Sequence, residues 1–158
     1  MKKDDLTQTI FQPPMRRIIT VNPSHYFLSF PKMKFKIDAN INANKSYCEI
    51  MLQGLTISFL LDKRYKAAPF LPNLYWQGQV CMGNFVHNTF PNMETLIRET
   101  ISEFWSSLFD NQWTVCTDFV KRKSIHKYFK EWQQRTKEDP KWIPDKKFFG
   151  IIVPPTRH

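Results

Sequence analysis

Between residues 32 and 39 the chain alternates strictly, with Met33, Phe35, Ile37 and Ala39 apolar and Lys32, Lys34, Lys36 and Asp38 charged between them. Successive strand side chains point to opposite faces, so this pattern predicts a strand with one face in a core and one in water. Upstream, Ile18, Ile19, Thr20 and Val21 are strand formers, halted by the turn residues Asn22, Pro23 and Ser24. Downstream, residues 40–44 read as a turn. Residues 47–52 and 55–61 are two apolar runs parted by Gln53 and Gly54, the pattern of a hairpin. An antiparallel meander of about four strands is the simplest account. Residues 1–14 are polar and end in Pro13 and Pro14, which interrupt backbone pairing, and are expected to form a tail or an arm.

Residues 65–83 carry two prolines and two glycines among large apolar side chains. Such a stretch is no regular helix, and it is too apolar for a flexible linker; an ordered loop pressed on the sheet is expected. At Pro91 the period changes to that of a helix, expected over 92–110. Asn92 is its N-cap, Glu94 suits the dipole of the first turn, and Met93, Ile97, Ile101, Phe104, Trp105 and Leu108 form its apolar stripe. A second helix follows Asp118, with Ile125, Tyr128, Phe129 and Trp132 on one side and Lys121, Arg122, Lys123, Lys127 and Lys130 around the rest. Pro140 and Pro144 end regular structure, and the apolar run 148–153 is a strand or a packed extension. The fold class is α+β, an antiparallel meander with helices on one face, as a tail over 1–15 and a single domain over 16–158.

Composition narrows the function classes. At 158 residues and 42% hydrophobic, the chain can bury a core without disulfides or metal. Cys48, Cys81 and Cys116 are widely spaced with no CxxC pair, which fits a reducing compartment. No apolar run approaches the roughly 18 residues that span a bilayer, so a cytoplasmic protein with no membrane partner is expected. No metal-ligand spacing is present, and no cofactor is implied. The formal charge of +9 leaves a nucleic-acid partner open, through Lys121, Arg122, Lys123 and Lys127, against the alternative of a solvated helix face.

The segment 72–82 delivers a cysteine from an ordered, glycine-containing loop. Cys81 acts as a nucleophile only as a thiolate, which requires exposure and a neighbour that handles the proton; otherwise it is a small buried hydrophobe. The Asn73 amide is suited to stabilising the oxyanion of acyl transfer, and His87 to acting as a base. Cys48 and Cys116, within apolar runs, are expected in the core.

This segment resembles that of ubiquitin-conjugating (E2) enzymes, whose His-Pro-Asn signature precedes a glycine turn, an aliphatic residue and the thioester-forming cysteine. Pro72, Asn73, Leu74, Gly78, Val80, Cys81 and Met82 stand in that order, with Leu71 in place of the signature His. It is more similar still to prokaryotic E2-like proteins of mobile-element cassettes, including the B proteins of PRTRC systems. Pro69, Phe70, Asn73, Tyr75, Gly78, Val80, Cys81, Gly83 and Asn84 match their loop, and Glu103, Phe104, Trp105 and Phe109 their helix. The likeness covers about residues 55–114. It implies an E2-like domain with a basic helical extension, and a ubiquitin-like modifier carried as a thioester on Cys81. It further implies an E1-like, ThiF-type activating partner, with Tyr75, Trp76 and Asn84 docking the modifier tail, against the alternative that Tyr75 and Trp76 cap the core. A catalytically silent partner-binding module and a basic nucleic-acid-associated protein of a mobile-element or defence system are the alternatives.

Overall fold

Strands β1 (Lys2–Gln12), β2 (Met15–Val21), β3 (Ser24–Phe30) and β4 (Met33–Ala43) form one long antiparallel ribbon. Lys2 pairs with Ala43, Gln12 with Met33, Met15 with Phe30 and Val21 with Ser24, so the β1–β4 and β2–β3 ladders keep a single register. The ladder lapses where Pro13 and Pro14 face Lys32 and Pro31, because proline has no N–H to contribute. The lapse also turns the ribbon over. Phe35 and Ile37 are the inward residues of β4, whereas Tyr26, Leu28 and Phe30, of opposite parity, are inward in β3. In the computed structural model residues 2–21, 24–43, 48–67, 71, 74, 78–80, 89–106 and 122–152 are described.

The sheet continues through β5 (Cys48–Leu61), β6 (Arg64–Ala67) and β7 (Thr89–Phe90) in the order β1-β4-β5-β6, with β7 also on β5. Asp38 faces Gly54 but Ala39 faces Leu52, leaving Gln53 as a bulge. The bulge switches the buried parity from Ile50 to Leu55, Ile57, Phe59 and Leu61. Residues 48–61 are therefore one bulged strand and not the expected hairpin. The expected turn at 40–44 is likewise strand as far as Ala43. The polar stretch read as a tail is β1, whose outward residues Asp5, Thr7 and Thr9 face water at the edge of the sheet, with Phe11 beyond them on the same side.

Helices α1 (Met93–Ser106), α2 (Arg122–Glu138) and α3 (Lys146–Ile152) follow. Asn92 caps α1 as expected, its Oδ1 accepting the Thr95 N–H at 2.8 Å. Leu96, Thr100, Phe104 and Trp105 are the buried residues of α1, while Met93, Ile97 and Ile101 flank them and are partly buried; Leu108 lies outside the described residues. On α2 the expected apolar side is buried at Tyr128, Phe129 and Trp132, with Lys127 and Lys130 exposed. The run expected as strand or extension folds as α3. Asp145 caps it through the Phe148 N–H at 2.8 Å, and Phe148 and Phe149 are buried.

Phe30 joins these layers. Its ring lies 5.0 Å from Trp105 of α1, 5.3 Å from Trp132 of α2 and 6.2 Å from Phe59 of β5. Side chains of α2 satisfy the outer edge of β3. The Phe27 N–H donates to Gln133 Oε1 at 2.7 Å, the Ser29 N–H donates to Thr136 Oγ1 at 3.0 Å, and Trp132 Nε1 donates to the Ser29 carbonyl at 2.8 Å. Arg16 ties β2 to the end of the same helix by donating to the carbonyls of Thr136 and Asp139 at 2.9 and 2.6 Å. No helix among the described residues is long and apolar enough to cross a membrane.

Thr136→Val strands the buried Ser29 N–H and is expected to cost about 1–3 kcal/mol, and Trp132→Ala about 3–5 kcal/mol, both read by urea unfolding. Burial holds the Tyr128 phenol well above its ordinary range, so the folded state keeps its proton while the unfolded chain releases it. That contribution is whole below the unfolded value and is lost as pH rises through it. The unfolding midpoint should fall more steeply above about pH 10 in the wild type than in Tyr128→Phe.

Candidate functional site

The outer edge of β5 is covered by three separate pieces of chain. Asp62 and Lys63, at φ 50° and 68°, make the tight two-residue connection that returns β6 along residues 58–61. The chain next meets the edge at Gly78, whose carbonyl accepts the Ile57 N–H at 2.8 Å, and at Val80, whose N–H donates to the Leu55 carbonyl at 2.8 Å. Gln79 between them pairs with Thr56. Finally β7 pairs with Ile50 and Met51.

Of the loop expected over 65–83, residues 65–67 belong instead to β6, and the described residues 71, 74 and 78–80 are anchored on the sheet. Leu71 and Leu74 are fully buried, the Leu74 N–H donates to the Leu71 carbonyl at 3.0 Å, and Leu74 bridges back to Val80. Gly78 has φ 84°, a conformation open to glycine and strained for other residues. Val80 is buried, so apolar contact and two backbone hydrogen bonds hold the chain up to the residue before Cys81.

Cys81, Asn73, His87, Tyr75, Trp76 and Asn84 lie outside the described residues, as do Cys116 and Lys121. The structure fixes the flanks of the segment that holds Cys81, Asn84 and His87. Val80 lies opposite Leu55 and Thr89 opposite Met51, four positions along β5, a separation of roughly 13 Å at the usual strand rise. Arg122 and Lys123 belong to the first turn of α2, and Lys127 is exposed on it. Cys48, expected in the core, is exposed: it pairs with Ala43 at the last rung of the β4–β5 ladder.

Beside Thr89 the sheet carries a cavity of about 210 Å³ lined by Asn40, Asn42, Glu49, Met51, Gln53 and Thr89. Its amides and single carboxylate suit a hydrogen-bonding guest more than an apolar one. The alternation of Asn40 and Asn42 with Ala39 and Ile41 is the signal that marks this wall as strand, masked in the sequence by the turn preference of asparagine.

A Cβ at residue 78 would occupy a left-handed backbone, so Gly78→Ala is expected to cost about 1–2 kcal/mol. Amide exchange at Ile57 and Val80 should accelerate with it, while exchange in β2–β3 should not. No protein-family model, curated protein or solved structure matches this chain.

Proposed function

We propose that this chain is an E2-like conjugating protein that carries a ubiquitin-like modifier as a thioester on Cys81. The observation that carries the reading is the clamping of Gly78–Val80 onto Leu55–Ile57, immediately before that cysteine. Acyl transfer rewards a nucleophile whose backbone is held against a rigid sheet, because the reacting atoms must meet within a narrow geometry. The resemblance around residues 69–84 and the helix that follows support the same assignment. Leu71 at the signature His position is accommodated by its burial: an apolar anchor holds the turn where the family uses an imidazole.

In this reading the Cys81 thiolate attacks the modifier's C-terminal carbonyl on the E1-like partner. A new C–S bond forms, the partner's C–S bond breaks, and the partner's thiolate leaves. An acceptor amine then attacks the same carbon. The C–N bond forms, Cys81 departs as thiolate, and the amine proton passes to a base such as His87. The Asn73 amide donates to the oxyanion of each tetrahedral intermediate. Tyr75, Trp76 and Asn84 line the approach of the modifier tail.

Incubation with the E1-like and ubiquitin-like proteins encoded alongside it, and ATP, should yield an adduct cleaved by thiol. Cys81→Ala should abolish it and Cys48→Ala and Cys116→Ala should keep it, whereas Asn73→Ala should slow discharge to an amine by roughly 100-fold with loading little changed. Absence of an adduct with a competent E1-like protein would make the chain a silent binding module.

A further inference from the structure

The helices cover one face of the sheet; the other face is solvated and divided in charge. Toward the Ala43 end its carboxylates have cross-strand partners: Thr7 Oγ1 donates to Asp38 Oδ1 at 2.7 Å, and Asn40 Nδ2 donates to Asp5 Oδ1 at 2.8 Å. Toward the proline break stand Lys32, Lys34 and Lys36 on the outward side of the second arm of the ribbon, residues 24–43. Among the described residues the ion pairs are Arg98–Glu99 and Arg135–Glu131, so none of these lysines meets a carboxylate. Two of them lie instead against aromatic rings. Lys32 Nζ is 5.4 Å from the Phe11 centroid, Lys34 Nζ is 5.0 Å from that of Tyr65, and the two rings are 5.7 Å apart. Phe11 is 53% exposed.

Lysines on a sheet often serve to discourage edge-to-edge pairing, but β4 is paired on both sides, with β1 and with β5, and needs no such protection. Edge strand β1 thus sets an exposed phenylalanine beside lysines that form no ion pair among the described residues. Polar hydroxyls complete the surface: Thr9 stands opposite Lys36, which stands opposite Thr56, and Ser58 is opposite Lys34.

We propose that this half of the open sheet face binds single-stranded nucleic acid, with bases stacked on Phe11 and Tyr65 and phosphates held by Lys32, Lys34 and Lys36. The charge complementarity is that of a polyanion, and the exposed Phe11 ring beside the half-buried Tyr65 selects a strand whose bases are free to stack. Alternate residues of a strand are about 6.7 Å apart, a spacing that matches successive phosphates of an extended strand in order of size. The surface is distinct from the basic residues of α2 and independent of any chemistry at Cys81.

The test is fluorescence anisotropy with a short labelled oligothymidylate and a duplex of equal length, over a range of salt. Saturable single-strand binding is expected, tighter than to duplex. Replacing the three lysines by alanine should lower the slope of log K against log salt by about 2, at roughly 0.7 per phosphate contact. Phe11→Ala and Tyr65→Ala should each weaken binding about ten-fold and leave the slope unchanged. Arginine at the three lysine positions should restore binding, which separates loss of contact from loss of fold, and Lys127→Glu should have no effect. The proposal is overturned by absence of binding at low salt, by equal affinity for duplex with Phe11→Ala silent, or by binding that disappears in Lys127→Glu and survives in the sheet variants. Binding of an acidic protein by this face in place of the oligonucleotide would overturn it equally.

Discussion

Three prolines at one level of a β-ribbon set the shape of this molecule. Without N–H groups at residues 13, 14 and 31 the ladder has to lapse there, yet the register on either side is the same. The lapse changes which face of the ribbon is buried, so the β2–β3 end packs beneath α2 while the β1–β4 end joins the main sheet. Phe30, the last residue of β3, is thereby brought to Trp105, Trp132 and Phe59 together, and both long helices dock on it. The hydrogen bonds from α2 to the outer edge of β3 follow from the same constraint: β5 pairs with the second arm only as far back as Met33, and helix side chains supply partners beyond.

What could be read from the sequence was whatever kept its period. Residues 33–39 alternate without interruption, and every inward residue among them is buried; Asn92, Tyr128, Phe129 and Trp132 likewise sit as their spacing implies. Period failed at the places where the structure shifts phase. Gln53 inserts one residue into β5, and a shift of parity beside a glycine looks like a turn. The first strand escaped notice because an edge strand with a wet face carries few apolar residues, and α3 because seven residues are too few to display a helical repeat.

The ordered loop was legible for a different reason: prolines and glycines forbid a regular element while Leu71, Leu74 and Val80 demand burial. Composition alone requires such a stretch to be pinned, although only pairing with β5 says where. The polar cavity beside Thr89 could not be anticipated, since it depends on the bulge that brings Gln53 alongside Asn40 and Asn42. Nor could the cluster of Phe11, Lys34 and Tyr65, whose members come from three strands and meet only through the register of the sheet. One rung nevertheless links the two regions of interest: Thr9, Lys36, Thr56 and Gln79 lie side by side across the sheet, from the open lysine face to the segment that leads into Cys81.

The three-piece cover on β5 bears on how such a chain can diversify. Each piece is hydrogen-bonded to its own stretch of the strand, so the register of one does not depend on the number of residues spent before reaching it. Lengths between the pieces are thus free to drift by insertion or deletion, as surface connections generally do, while the frame beneath stays constant. Related chains would be expected to differ most in the lengths of the segments between the pieces and least in the positions of β5 that receive them. Such a strand can accept connections of different lengths without any change in the frame on which they are laid.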